Sequence, residues 1–79
     1  MIKKNIATNK FGFIFNPATG DSFSSNATAA EVIRLMKESR SLAEIKEFMF
    51  EKYEIDKNTL EKDLEDFVAM LKQNNLLHN

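Results

Sequence analysis

The chain has 79 residues, a net charge of −1, 43% hydrophobic and 29% charged residues, and no cysteine. This length holds one domain, residues 1–79, and is near the lower limit for a self-sufficient core. Without Cys there can be no disulfide or thiolate metal site, and no apolar run approaches the ~18 residues a bilayer span needs.

The start, Met1 to Lys10, is basic but leads into no apolar stretch, so it does not read as a signal peptide, and the expected location is the cytoplasm. "FGFIFN" follows, at Phe11–Asn16. Phe11, Phe13 and Phe15 recur at period 2, which predicts a strand that buries the Phe stripe and turns Gly12 and Ile14 to the other face. In "NPATG", Pro17 presets φ for a tight turn and Gly20 supplies a positive φ, so a hairpin with a loop of three to five residues is expected. The return strand is "DSFSSN", Asp21–Asn26, with Phe23 expected to join the Phe stripe. Lys4 to Thr8 is a candidate third strand with Ile6 inward.

Beyond Asn26 the period becomes helical. "TAAE" at Thr28–Glu31 fits a capping box, and Asn26 is a competing N-cap. Ala29, Val32, Ile33 and Met36 form a stripe through about Glu38. "SLAE" at Ser41–Glu44 is a second capping box, followed by Leu42, Ile45, Phe48, Met49 and Tyr53 on one face. A third helix after Asp56 carries Leu60, Leu64, Phe67, Val68 and Leu71 at i, i+3, i+4 spacing. It ends near Asn74–Asn75, where Asn tolerates the left-handed cap, and Leu76 and Leu77 are expected to return to the core. The expected fold is α+β and winged-helix-like: a small antiparallel three-stranded sheet followed by three helices, β-β-β-α-α-α.

No catalytic constellation is legible. His78, the one histidine, stands near the chain end without a second ligand. Glu61, Asp63, Glu65 and Asp66 fall on different flanks of a helix and read as solvated charge. "NPATG" lacks the Gly-rich spacing and Lys-Ser/Thr of a phosphate loop. No cofactor and no metal are expected. Three helices and a hairpin also make a DNA-binding winged-helix regulator an alternative. Against it, residues 41–79 carry nine acidic and five basic side chains, and a groove-reading helix wants Arg, Lys, Asn or Gln outward. Neither nucleic acid nor membrane is an expected partner.

Two surfaces read as recognition surfaces. At a sheet edge, "DSFSSN" would offer unpaired N–H and C=O groups with no Lys or Pro to blunt them. Replacing Phe23 by Pro would be expected to remove one edge N–H. On the last helix, Met70 lies about 100° from the centre of the core stripe, beside Asp63 and Asp66. The same edge could pair with a second copy, so a monomer or weak dimer is expected.

Taken together, "SSNATAAEVIRLM", "SLAEIKEFMFEKYEID" and "LEKDLEDFVAMLKQNNLL" resemble the PqqD family, named after coenzyme PQQ synthesis protein D. The carrying residues are Asn26, Thr28 and Ala29 at the first helix entry and Ile45 in the second helix. Asp63, Leu64, Phe67, Val68 and Leu71 match in the third, and Leu76 and Leu77 close the pattern, over roughly residues 11–77. The resemblance implies a non-catalytic peptide chaperone, or RiPP recognition element. Such a domain binds the leader of a ribosomally made precursor as an added strand and presents it to a modifying enzyme, often a radical SAM protein. Carried over, the implied peptide-binding residues are Asp21, Ser22, Phe23, Ser24 and Ser25 on the strand, and Asp63, Asp66 and Met70 on the helix flank. Where PqqD itself usually has a Tyr-Pro-Glu-Gly-like turn this chain has "NPATG", and Ser25 replaces a frequent Leu. Both departures fall in the hairpin and point to a client other than the PQQ precursor.

Overall fold

The structure, a computed structural model, describes residues 1–78. Three strands, β1 (Ala7–Thr8), β2 (Phe13–Asn16) and β3 (Asp21–Ser24), precede three helices, α1 (Ala27–Lys37), α2 (Leu42–Tyr53) and α3 (Lys57–Gln73). The sheet is antiparallel with order β1-β2-β3. The third strand is shorter than Lys4–Thr8, and Ile6 turns inward as expected, although it lies just before β1.

The four-residue turn Pro17–Gly20 is set by Asn16. Its Oδ1 accepts from the Ala18 N–H at 3.1 Å, and its C=O accepts from the Gly20 N–H at 2.8 Å. These bonds let a polar side chain sit buried at the strand end. Gly20 has φ +78°, the left-handed conformation that glycine adopts without steric cost.

The facing of β2 reverses the sequence expectation. Ile14 and Asn16 are buried, while Phe11, Phe13 and Phe15 are 71%, 43% and 37% exposed. Phe23 pairs with Ile14 and packs against the core, so it lies on the face opposite the Phe stripe. The cause lies one residue upstream. Gly12 is buried with φ +91°, and a Cβ there would run into the backbone of Asn26. Only the glycine parity of β2 fits beneath the α1 entry, and Phe13 and Phe15 are left on the open face.

Each helix starts at a residue with a defined cap. Asn26 takes α1, its Oδ1 accepting from the Ala29 N–H at 2.8 Å, so it and not Thr28 is the N-cap. Ser41 and Glu44 form the expected capping box on α2. Asp56 caps α3 through the Thr59 N–H at 3.1 Å. The ends of α1 and α3 share a Schellman arrangement. Ser39 and Asn75 adopt positive φ, and the following N–H groups of Arg40 and Leu76 return to the C=O of Leu35 and Leu71. This reversal drives Leu76 into the core and brings Leu77 beside Ile2.

One core joins sheet and helices: Ile6 and Ile14, Ile33 and Met36 of α1, Ile45 and Met49 of α2, and Leu60 and Leu71 of α3. In α2 only Ile45 and Met49 are buried; Leu42, Phe48 and Tyr53, expected on the same face, are exposed. Residues 45 and 49, one turn apart, occupy the narrow strip facing α1 and α3, while the positions flanking it are left to solvent. Lys52 Nζ stands 5.6 Å from the Phe48 ring and 5.4 Å from the Tyr53 ring, covering part of that apolar surface.

Candidate functional site

β3 is the edge of the sheet: among the described residues it pairs with β2 alone. The direction of its free backbone groups follows from two hydrogen bonds. The Ser25 N–H donates to the Gly12 C=O at 3.0 Å, in register with the β2–β3 pairing. On the far side of β2, the Asn9 N–H donates to the Phe13 C=O at 3.2 Å, so Phe13 gives its backbone groups to the β1 side. Antiparallel ladders alternate. Asp21 and Phe23 therefore turn their N–H and C=O toward β2, and Ser22 and Ser24 turn theirs outward. This corrects the expectation that Phe23 supplies an edge N–H. The open donors and acceptors are those of the two serines, which are both exposed.

The C-terminal end of β3 opens into a cleft of about 430 Å³ between the α1 entry and α3. Ser25, Asp63, Asp66 and Met70 all line it, so four of the eight residues singled out from the sequence meet at one cavity. Asp21, Ser22, Phe23 and Ser24 are not in its wall; they are the strand that leads into it. The floor is apolar and includes Val32 of α1, Met49 of α2 and Phe67 of α3, none of which the sequence reading assigned to a site. Ile55 and Leu60 complete one end. They stand at the N′ and N4 positions around the Asp56 cap, the spacing of a hydrophobic staple. That spacing is the signal in the sequence that marks this end of the cleft.

The electrostatics of the cleft are simple. Asp63 and Asp66 are exposed on its rim, one helical turn apart, and no Lys or Arg lines it. A larger groove, about 510 Å³, lies on the other flank of α3 against α2, where Lys46 and Glu61 form an ion pair at 3.3 Å. None of its lining residues belongs to the sheet, so a segment paired to β3 would not reach it. Among the described residues there is no group of three or more His, Cys, Asp or Glu able to hold a metal, and no helix is long and apolar enough to cross a membrane.

An open sheet edge feeding a helix-walled cleft, on a β-β-β-α-α-α frame, defines a small α+β domain. The chain belongs to the PqqD family: the family model described as coenzyme PQQ synthesis protein D (PqqD) matches residues 12–77. Two solved structures share the fold. One, TbiB1 in complex with the TbiA(beta) leader peptide, is 25% identical with a TM-score of 0.85, covering 99% of this chain and 94% of that one. The other, lasso peptide synthetase B1 complexed with the leader peptide, is 23% identical with a TM-score of 0.77, covering 94% of this chain and 91% of that one. No curated protein matches.

Proposed function

We propose that this chain is a non-catalytic leader-peptide chaperone. It binds the leader segment of a ribosomally made precursor by strand addition and presents that precursor to a modifying enzyme of the radical SAM class. The observation that carries the reading is the outward-facing backbone of Ser22 and Ser24, on an edge strand that runs into the cleft walled by α3. Strand addition takes affinity from main-chain hydrogen bonds and specificity from side-chain pockets, and both are available here. Membership of the PqqD family and likeness to TbiB1, a protein held with a leader peptide, support the same reading. Asp21 to Ser25 form the docking edge, while Asp63, Asp66 and Met70 form the facing wall. Residues 1–79 act as one binding domain, cytoplasmic, and monomeric or weakly dimeric.

The DNA-binding alternative is disfavoured by charge. On α3, Glu61, Asp63, Glu65 and Asp66 outnumber Lys57, Lys62 and Lys72, so the helix presents net negative charge to phosphate. A mobility-shift titration with duplex DNA at low salt is expected to stay flat.

The test is an amide-shift titration of isotope-labelled protein with a synthetic leader taken from a short precursor gene encoded beside this one. Expected are a Kd in the micromolar range or tighter, about −8 kcal/mol or more favourable, and shifts concentrated at residues 21–25 and 60–74. Shifts confined to other residues would overturn the binding mode.

A further inference from the structure

The outer face of the sheet carries two large, partly exposed apolar side chains, Phe13 and Phe15. Among the described residues no cation stands over either ring, whereas Lys10 covers Phe11 at 5.3 Å. Their partners on the edge strand are small: Phe13 pairs with Ser24 and Phe15 with Ser22. By the alternation derived above, both are non-hydrogen-bonded pairs, the kind that brings opposing side chains closest. Each ring therefore stands beside a serine, and beyond each serine is the open edge. The pairing sets two phenyl rings beside two small serines, continuous with the edge where a peptide strand would dock.

We infer that Phe13 and Phe15 are specificity-determining residues that read the outward-facing side chains of the bound peptide. This rests on the strand-addition reading. The peptide residues opposite Ser22 and Ser24 exchange hydrogen bonds with their outward N–H and C=O groups, and their side chains share the serines' face. A bulky aliphatic or aromatic side chain there lies over the serine and meets the ring of Phe15 or Phe13. The residue between them points to the other face, beside Phe23 and the cleft. The ligand class is thus an extended peptide with large apolar residues at two positions of one parity, separated by a residue of the other parity that faces the cleft. The small size of Ser22 and Ser24 is part of the device, because a larger side chain there would itself cover the rings.

The probe is a phage-displayed library of random 12-residue peptides, selected on the intact chain and, in parallel, on the F13T/F15T variant. Threonine keeps strand propensity at two partly exposed positions, and circular dichroism confirms the fold. Peptides selected on the unsubstituted chain, and shown by amide shifts to dock at Ser22–Ser24, are expected to carry large apolar residues at paired i, i+2 positions. The variant is expected to bind them about tenfold more weakly, since each aromatic cross-strand contact is worth up to about a factor of five, and to select peptides without that pair. Equal affinity for the two proteins, or docked peptides with no i, i+2 apolar pair, overturns the inference while leaving strand addition intact. Loss of self-association in the variant at unchanged peptide affinity also overturns it, and assigns the rings to a second copy of the chain. If the unsubstituted chain selects no peptide that shifts Ser22–Ser24, strand addition fails and this inference falls with it.

Discussion

At Gly12 the backbone passes beneath Asn26 in a left-handed conformation, with no room for a side chain. This single contact couples three features of the molecule: the face β2 buries, the cap of α1, and the mouth of the cleft, where Ser25 and Asn26 stand. Gly12→Ala is expected to cost ~1–3 kcal/mol from backbone strain alone, with more from the displaced Asn26. Urea denaturation should show the lost stability, and the amide signals of Asn26 and Ala29 should move most. Gly20 is the contrasting case. Its φ is also positive, but a Cβ there would meet open space. Gly20→Asn should therefore cost well under 1 kcal/mol, because Asn tolerates that conformation. The sequence reads Gly20 as a turn glycine but gives no sign that Gly12 is the crowded one, since the atoms that crowd it belong to a residue fourteen positions away.

Strand β3 shows how an element carries function through its backbone. Its side chains bury little, with Phe23 alone packed against the core. What it offers is two residues' worth of outward hydrogen-bonding groups. Ser24→Pro removes one outward N–H and leaves the bonds to β2 in place, as proline on an edge strand can. Peptide affinity should fall roughly five- to tenfold, with stability changed by less than ~1 kcal/mol. Phe23→Pro removes a donor turned toward β2 together with a side chain packed on the core. It should destabilise by about 2–4 kcal/mol, so any loss of binding would follow loss of fold. Thermal melts alongside peptide titrations of both variants separate the two outcomes. Equal destabilisation would show that the alternation runs the other way. Helix α2 makes a complementary point. Its apolar residues are too many for the strip it buries, so counting them overstates its contact with the core.

Across the whole molecule, a charged lattice links α1 and α2. Glu31 accepts from Lys52 Nζ at 2.8 Å across the helices and from Arg34 at 3.1 Å within α1. The Lys52 hydrogen bond, foremost, and Arg34 after it hold the Glu31 carboxyl below the usual carboxylate range, against an opposing effect of partial burial. The folded state thus binds fewer protons here than the unfolded chain. The stabilisation is complete above the ordinary carboxylate value and is lost as pH falls from there through the lowered folded value. Glu31→Gln should lower the urea midpoint at neutral pH, and the gap from the unsubstituted chain should shrink steadily on acidification. A gap that stays constant from pH 7 to about pH 3 would mean that the charge is not what Glu31 contributes.

Local chemistry was legible in the sequence. The capping box at Ser41, the Pro17–Gly20 turn, the start of α3 after Asp56, its helical period and the Asn74–Asn75 end are decided within a few residues, so they could be read before any fold was known, whereas the structure chose Asn26 over Thr28 as the cap of α1. The order of elements followed from them, and the resemblance implied the docking role of "DSFSS" together with Ser25, Asp63, Asp66 and Met70, which the structure gathers at one cleft at the end of an edge strand. The tertiary structure alone decided which face of β2 is buried, because a period of two fixes only that alternate residues part company. The close approach of Gly12 to Asn26 chose between the faces and put three phenylalanines outside, while the register of the β2–β3 hydrogen bonds set which backbone groups of β3 look outward.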